Sequence, residues 1–408
     1  MTMDADVAIV GGGLNGPVLA LALASAGMRV CVIDALPAER RADAGFDGRA
    51  YALALASVRL LKALGLWPVL AADAQPIRRV VASDGRPGEG AGPFLLDFDA
   101  GEIEEGAMGQ MLEDRYLRRA LLDAMDAAPG ITHLSGETVV GQTVQDAGMA
   151  LGLASGGSVV ARLAVGCDGR ASPTAARAGI RRTGWGYGQT AIVCAVAHER
   201  PHHGVAHQFF MPAGPLAILP LPHNRSSIVW SEADATARAV MALDDAGFLE
   251  VLRPRFGDFL GGIRIEGARF SYPLGLSLAQ SLVAARLALV GDAAHGLHPI
   301  AGQGLNLGLR DVAALAEVLA DARRRGEDIG APDVLDRYQQ WRRFDTVAMA
   351  AATDAFNRLF SNDNPILRGV RDLGMGAVQA LPGLRRRLMR EAAGLSGTLP
   401  RLLQGRPV

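Results

Sequence analysis

A glycine-rich turn between an apolar strand and a helix constrains the fold of this chain more than any other feature. The segment Asp6–Val10 is short and rich in β-branched residues. It is followed by Gly11, Gly13 and Gly16, which have the spacing G-x-G-x-x-G, and then by an apolar stretch with helical character. A second strand-like run occupies Arg29–Asp34. A strand, a helix and another strand within about 30 residues predict a βαβ unit, and therefore a parallel sheet.

The same glycines predict a nucleotide site. The first permits a tight turn, the second lets the backbone approach a pyrophosphate, and the third lets the helix pack on the strand. The phosphates would lie at the helix N-terminus, where unpaired N–H groups and the dipole favour an anion. Asp34 ends the second strand, where a carboxylate can accept hydrogen bonds from ribose hydroxyls. Since an acid there disfavours a 2′-phosphate, FAD or NAD is favoured over NADP, and the alternative is a plain turn beside a surface acid.

Charge and cysteine content argue against several classes of protein. The formal net charge of the 408-residue chain is −1, which gives no general attraction to nucleic acid. The cysteines, Cys31, Cys167 and Cys194, are far apart and form no C-x-x-C pair, so neither a disulfide framework nor a zinc site is expected. The longest predominantly apolar run, Val18–Ala26, is too short for a membrane span of about 20 residues. We therefore expect a cytoplasmic protein.

Two further motifs follow buried, strand-like runs and decide between FAD and NAD as the expected cofactor. They are Cys167-Asp168-Gly169 and Gly291-Asp292-Ala293-Ala294-His295. Together with the glycine turn, they resemble the three fingerprints of the class A flavoprotein monooxygenases, the para-hydroxybenzoate hydroxylase-like group. Within that group, the chain is similar to the ubiquinone-biosynthesis hydroxylases over roughly residues 5–350. The segments that carry this likeness are FDGRAYAL (46–53), GWGYGQTAIV (184–193), GPLAILPL (214–221), YPL (272–274) and LVGDAAHGLHPIAGQGLNLGLRDV (289–312).

The resemblance implies which residues hold FAD. Asp292, after Gly291, would hydrogen-bond the ribityl chain, and Arg49 would reach the pyrophosphate with charge-assisted bonds. Asp168 and Gly169 would lie near both the pyrophosphate and NAD(P)H, the implied electron donor. Arg115, at the start of a helix, resembles a further family position near the cofactor. A surface salt bridge is the alternative role for either arginine.

The segment after Asp292 resembles the family loop that passes under the isoalloxazine ring. Its backbone N–H groups and the N-terminus of the next helix would face the flavin N1–C2=O edge and stabilise the anionic reduced flavin. The residues implied in this loop and its contacts are Pro299, Gly302, Gln303, Gly304, Leu305 and Asn306. No side chain is implied as an acid, a base or a nucleophile.

The pattern of elements predicts how the chain is divided. After Gly188, strand candidates separated by turn residues predict an antiparallel sheet: Thr190–His198, Val205–Met211, Leu216–Leu221 and Arg225–Glu232. The expected fold is α/β, with a Rossmann-like FAD-binding domain, an inserted, mainly antiparallel β-sheet substrate domain and a C-terminal helical region. We assign residues 1–75, 105–180 and 276–350 to the first, 76–104 and 181–275 to the second, and 351–408 to the third.

The family chemistry implied by the resemblance is ring hydroxylation. NAD(P)H reduces FAD, O₂ forms a flavin C4a-hydroperoxide, and that species hydroxylates an electron-rich phenol, here a polyprenyl-phenol intermediate of ubiquinone biosynthesis. The sheet domain would roof an apolar pocket for which Tyr187, Phe210 and Leu219 are candidates. The alternatives are a hydroxylase of a soluble phenol, a reductase of prenyl double bonds, and a catalytically silent FAD-binding subunit of a quinone-biosynthesis complex.

Two other features suggest sites. His295 and His298 have H-x-x-H spacing, but no third ligand is apparent, so capping or packing roles are expected and no metal is. In the arginine-rich tail, helical spacing places Leu381, Leu384, Leu388 and Met389 near one side. Such a basic amphipathic helix either lies on an anionic membrane surface, on its inner face, or docks on its own domain or a partner protein. Both readings stay open.

Overall fold

The structure is a computed structural model that describes residues 3–43, 45–88, 90–298, 302–361 and 374–408. Its strands are β1 (Ala5–Val10), β2 (Val30–Asp34), β3 (Ala50–Ala54), β4 (Gln75–Ile77), β5 (Arg79–Arg86), β6 (Gly90–Asp99), β7 (Gly109–Glu113), β8 (Ile131–Ser135), β9 (Val139–Gln145), β10 (Gly148–Leu153), β11 (Ser158–Gly166), β12 (Arg182–His198), β13 (Val205–Met211), β14 (Gly214–Leu221), β15 (Arg225–Ala233), β16 (Ile263–Ala279), β17 (Val283–Ala284), β18 (Leu287–Leu289) and β19 (His295–Gly296). Its helices are α1 (Asn15–Ser25), α2 (Ala38–Arg41), α3 (Leu55–Ala63), α4 (Trp67–Leu70), α5 (Asp114–Ala127), α6 (Pro173–Arg177), α7 (Asp234–Met241), α8 (Asp245–Phe256), α9 (Gln303–Arg324), α10 (Pro332–Phe360) and the C-terminal helix (Pro382–Ala392).

The predicted parallel sheet lies at the centre of the larger core. Strands β18, β11, β1, β2 and β8 pair in parallel in that order, while β17, β10 and β9 extend the sheet by antiparallel pairing. Every residue of β2 is buried, as expected for a strand covered on both faces. Helix α1 packs against α5 and α9, and α9 packs against α10. Parallel pairing places the carboxyl ends of these strands along one edge of the sheet.

A second sheet is almost wholly antiparallel, with the order β19-β16-β12-β15-β14-β13-β5-β6 and one parallel pair, β13 with β5. One face is covered by α7 and α8, where Trp230 packs edge-on against Phe248. The other face meets α10 through Phe210, whose ring contacts Phe356 and Phe360. The predicted α/β architecture with an antiparallel substrate sheet is confirmed. The domain limits stay a prediction, since β16 runs across residue 276 and α10 runs across residue 350.

A small sheet, β3-β7-β4, and the C-terminal segment complete the fold. Residues 374–380 are helical and precede the C-terminal helix, and a short 3₁₀ turn follows at Arg401–Gln404. This last turn packs against α3 and α9, where Leu402 and Leu403 are buried. The chain end is therefore part of the same core as the parallel sheet.

Candidate functional site

The turns after β1, β11 and β18 meet at one edge of the parallel sheet. The N–H of Gly11 donates to the carbonyl of Ile33 (2.8 Å), and the N–H of Cys167 donates to the carbonyl of Val10 (2.8 Å). The ladder thus continues one residue past each strand and fixes the turns relative to one another. Ligands of open α/β sheets bind outside the carboxyl ends of the strands, where these turns lie.

Packing within the protein requires two glycines of this turn, and the third leaves space beside the backbone. Gly11 has φ +112°, and a Cβ there would lie 2.4 Å from the carbonyl oxygen of Cys167. A Cβ on Gly16 would lie 2.0 Å from the carbonyl oxygen of Gly11, so both positions require glycine for packing. A Cβ on Gly13 would meet no atom within 4 Å in the part of the chain that the structure describes. Because α1 has no side-chain cap at Leu14, its N-terminal N–H groups at this open side can take an anion.

Asp34 is held by a partner that the sequence did not indicate. Arg41 donates from Nε to Asp34 Oδ2 (2.7 Å) and from Nη2 to Oδ1 (2.8 Å). Burial opposes the charge of this 3 % exposed carboxylate, but the Arg41 bonds and charge outweigh burial and lower the pKa of Asp34. A ribose at Asp34 would therefore share the carboxylate with Arg41.

The two predicted arginines lie in different surroundings. Arg49 is about one third exposed, with Nη2 2.6 Å from Asp47 and 3.5 Å from Asp114. Arg115 donates to Glu113 (2.8 Å) and lines an open cleft of about 850 Å³ between α5 and the antiparallel sheet. Each guanidinium is thus steered by carboxylates of its own neighbourhood.

The Asp168-Gly169 turn is ordered by its own acid. Ser172 Oγ donates to Asp168 Oδ1 (2.5 Å), and the N–H of Thr174 donates to Oδ2 (2.9 Å). Gly169 has φ +82°, in the left-handed region that glycine adopts readily. Asp168 therefore accepts an N–H from the first turn of α6, whose N-cap is Ser172, and fixes the turn that presents Gly169.

Asp292, by contrast, keeps its carboxylate accessible. Its side chain is 48 % exposed and lies 3.6 Å from Nε of Arg170. Arg170 also donates to the carbonyl of Leu297 (3.3 Å), so it joins the turn after β11 to the segment after β18. Sequence reasoning missed Arg170, although it directly follows the Asp168-Gly169 motif. Gly291 has φ +64°, and a Cβ there would lie 2.2 Å from Asn15 Nδ2.

The first histidine of the H-x-x-H pair belongs to a buried ionic network. His295 Nε2 lies 2.5 Å from Asp311 Oδ2, and Asp311 also accepts from the N–H of Gly291 (3.0 Å) and Nε of Arg342 (2.8 Å). Burial disfavours the charged carboxylate, yet the charges of His295 and Arg342 lower the pKa of Asp311. This network anchors the Gly291 turn from beneath. Among the described residues, no group of three His, Cys, Asp or Glu side chains could hold a metal ion.

The loop predicted to pass under the flavin begins outside the described residues, since Pro299 is among those not described. Its second half leads into α9, which begins at Gln303. The N-cap of α9, Gly302, has φ +65° and provides no side-chain cap. The side chain of Asn306 joins the start of α9 to β3 and α3. It accepts from the N–H of Ala54 and Oγ of Ser57 and donates to the carbonyls of Ala52 and Gly302, each at 2.8–2.9 Å.

All four hydrogen-bonding positions of the Asn306 amide are therefore used by the protein. Its side chain positions the loop against β3 and has no hydrogen-bonding position left for a flavin. The backbones of Gln303, Gly304 and Leu305 occupy the rest of the first turn of α9. A Cβ on Gly304 would meet no atom of the described residues within 4 Å, so on that side its backbone is open to a ligand.

The three candidate pocket residues lie in separate apolar groups. Tyr187 packs against a cluster that we call the loop cluster, formed by Leu276, Leu297, Leu307 and Ala350. Phe210 is 4 % exposed and lies in the aromatic group on α10. Leu219 is partly buried against the core of the parallel sheet. Of these candidates, Tyr187 contacts the ring of His298.

Comparison with known proteins decides the family. Residues 4–354 match the model of a family described as the FAD binding domain. The chain belongs to this FAD-binding family. A ubiquinone hydroxylase, UbiL, of Rhodospirillum rubrum is 48 % identical over 407 residues, covering 99 % of this chain and 94 % of that protein. The 3-demethoxyubiquinol 3-hydroxylase of Escherichia coli is 38 % identical, covering 96 % and 98 %.

Solved structures share the fold of this FAD-binding chain. A p-nitrophenol 4-monooxygenase, PnpA, from Pseudomonas putida superposes with a TM-score of 0.80 at 21 % identity, covering 97 % of this chain and 99 % of that one. The residues at the sheet edge fit FAD: an open glycine turn at an uncapped helix for the pyrophosphate, an accessible Asp292 for the ribityl chain, and an uncapped α9 for the flavin edge.

Proposed function

We propose that this protein is an FAD-dependent monooxygenase that hydroxylates the aromatic ring of a polyprenyl-phenol intermediate in ubiquinone biosynthesis, using O₂ and electrons from NAD(P)H. The observation that carries the proposal is the meeting of three strand-end turns at one sheet edge in a chain 48 % identical to a ubiquinone hydroxylase. Its relative from Escherichia coli also hydroxylates a ubiquinol precursor by name.

Bound FAD would supply the activated oxygen, so the chain has to hold, orient and shield the reactants. Gly13 and the start of α1 would hold the pyrophosphate, and Asp292 would hold the ribityl chain. The first turn of α9 would direct its N–H groups at the flavin edge, where reduction places negative charge. The loop cluster would exclude water from the ring that reacts. Its apolar character suits a prenylated substrate better than a charged one.

The C-terminal helix supports contact with a membrane surface as part of this proposal. Met389 departs from the predicted face, because it is 1 % exposed and docks the helix on its own core. Leu381, Leu384 and Leu388 are 54 %, 40 % and 41 % exposed. Exposed arginines lie on the same helix: Arg386, Arg387 and Arg390. The helix therefore docks on its domain and still offers leucines and positive charge to an anionic bilayer.

A second exposed apolar strip lies on α10, where Phe344 is 79 % and Val347 53 % exposed. Among the described residues, no helix is both long enough and apolar enough to cross a bilayer. Peripheral attachment through these side chains would bring a substrate with an isoprenoid tail to the protein without a spanning helix.

The proposal is tested by reconstituting the chain with FAD and supplying NADH or NADPH, O₂ and ortho-geranylphenol. Mass spectrometry should find a product with one added oxygen atom, and Asp292→Ala should form less of it because it holds FAD less tightly. Para-hydroxybenzoate serves as the soluble phenol. Preferential hydroxylation of that compound, or NAD(P)H oxidation without any oxygenated product, would contradict the proposed substrate class.

A further inference from the structure

His298 is a fully buried histidine that lies just beyond β19. Its side chain is 1 % exposed, and neither ring nitrogen is hydrogen-bonded to a described residue. His295, three positions earlier, is equally buried but bonds to Asp311. Leaving a buried donor or acceptor unpaired destabilises the folded chain, and such groups are uncommon in native proteins. The hydrogen bonds of the described residues therefore do not explain why a histidine stands at this position.

The surroundings of His298 fix its ring but do not satisfy it. The ring of Tyr187 lies edge-on to the imidazole, with centroids 5.5 Å apart. Tyr187 is itself held by Asp354, which accepts from Tyr187 Oη (3.0 Å) and from Nε1 of Trp185 (3.1 Å). Burial first, and then the hydrogen bond to Asp354, raise the pKa of Tyr187, so its hydroxyl stays protonated as the donor to Asp354. Tyr187 thus orients the imidazole, while its hydroxyl bonds to Asp354 and not to His298.

The sequence position of His298 and its apolar neighbours relate it to the expected flavin site. It directly precedes the loop predicted to pass beneath the isoalloxazine, and Tyr187 beside it packs on the loop cluster. Burial, and then the charge of Arg170, lower the pKa of His298 to about 4, so the imidazole is neutral near pH 7. A neutral imidazole has one N–H donor and one acceptor nitrogen. An oriented acceptor beside the apolar loop cluster suits a phenolic hydroxyl.

We infer that His298 binds the substrate by accepting a hydrogen bond from its phenolic O–H, which positions the ring beside the flavin. This inference rests on the proposed function and names the contact that selects a phenol from other prenylated molecules. Accepting the bond also draws the O–H proton away from oxygen and leaves the ring richer in electrons, as hydroxylation ortho or para to the hydroxyl requires. No proton has to leave the substrate for this effect.

The test compares ortho-geranylphenol with its methyl ether, which lacks the O–H donor. Dissociation constants are measured with the FAD-loaded protein from changes in flavin absorbance. The wild-type protein should bind the phenol about tenfold more tightly than the ether, as expected for one hydrogen bond to a buried partner. In His298→Phe this ratio should fall to about one, and the yield of oxygenated product per NAD(P)H should fall with it.

If His298 had only a structural role, replacing it would lower the melting temperature. Under the inference, His298→Phe removes two unpaired nitrogens and keeps a ring, so its melting temperature should equal or exceed that of the wild type while the coupling of NAD(P)H oxidation to oxygenation is lost. His298→Gln, which retains an amide acceptor, should recover part of the phenol-to-ether ratio and provides the test if the Phe variant does not fold. His207→Phe, in the antiparallel sheet, should change neither the phenol-to-ether ratio nor the yield of oxygenated product per NAD(P)H.

A His298→Phe or His298→Gln protein that keeps both the full ratio and full coupling would overturn the inference. Failure of the wild type to oxygenate the phenol would instead overturn the proposed function, and the inference with it. The two failures are distinguished because the first requires an active wild-type enzyme.

Discussion

Replacing Asp311 by Asn should destabilise the protein far more than the loss of one charge on a surface. Asp311 is fully buried and accepts from the Gly291 N–H, from His295 and from Arg342, which is itself 1 % exposed. Removing one partner of a buried ion pair costs about 3–5 kcal/mol, because the other charge stays buried and unpaired. Unfolding entropy of about 2.1 cal/mol/K per residue gives roughly 0.9 kcal/mol/K for 408 residues. The melting temperature should therefore fall by about 4–6 °C.

The control for this prediction is Asp321→Asn, on the same helix α9. Asp321 also pairs with arginines, Arg401 and Arg324, but its side chain is 31 % exposed. Exposed pairs contribute about 1 kcal/mol or less, so its melting temperature should shift by about 1 °C. Both variants are measured by differential scanning calorimetry with FAD in excess. An Asp311→Asn protein no less stable than Asp321→Asn would refute the reasoning.

Three further predictions follow from the same contacts. Gly13→Ala should weaken FAD binding at unchanged apoprotein stability, since its Cβ meets no atom of the described residues. Gly16→Ala should lower the stability as well, because its Cβ would lie 2.0 Å from the carbonyl oxygen of Gly11. Titration with FAD and thermal melts of both apoproteins check this. The pKa of His298 is about 4 in the folded chain and about 6.5 in the unfolded chain, so the unfolded state binds the proton first as pH falls. The stability due to the neutral ring is therefore complete above about pH 6.5 and is lost toward pH 4. Between pH 7.5 and 5, the wild type should lose about 2 kcal/mol more than His298→Phe in denaturant titrations, and equal losses would contradict the buried neutral imidazole. The double variant Leu384→Glu/Leu388→Glu should no longer float with vesicles of anionic phospholipid that retain the wild type, and unchanged flotation would exclude this face.

The parts of the fold that depend on local pattern were predictable from the sequence. Val205–Met211 was predicted as a strand with the bounds that β13 has, because its β-branched and aromatic residues lie between turn residues. The turns at Gly11, Asp168 and Asp292 were expected together because each follows a buried strand. Helix α8 was missed, although Phe248, Leu252 and Phe256 recur every four residues.

Pairings between distant elements were not predictable in the same way. Asp311 and Arg342 lie on two long helices, and their contact depends on how α9 and α10 cross, which no local spacing encodes. The different fates of His295 and His298 depend on the same crossing, because Asp311 reaches one ring and not the other. The Arg41 bond that occupies Asp34 arises from a connecting segment with no periodicity to interpret.

Titration of the deflavinated chain with FAD tests whether the turns after β1, β11 and β18 bind one FAD. Followed by the quenching of flavin fluorescence, binding should saturate at one FAD per chain and should be weaker in Gly13→Ala and in Asp292→Ala. A chain that takes up no FAD, or variants that bind it as tightly as the wild type, would show that these turns do not form the site.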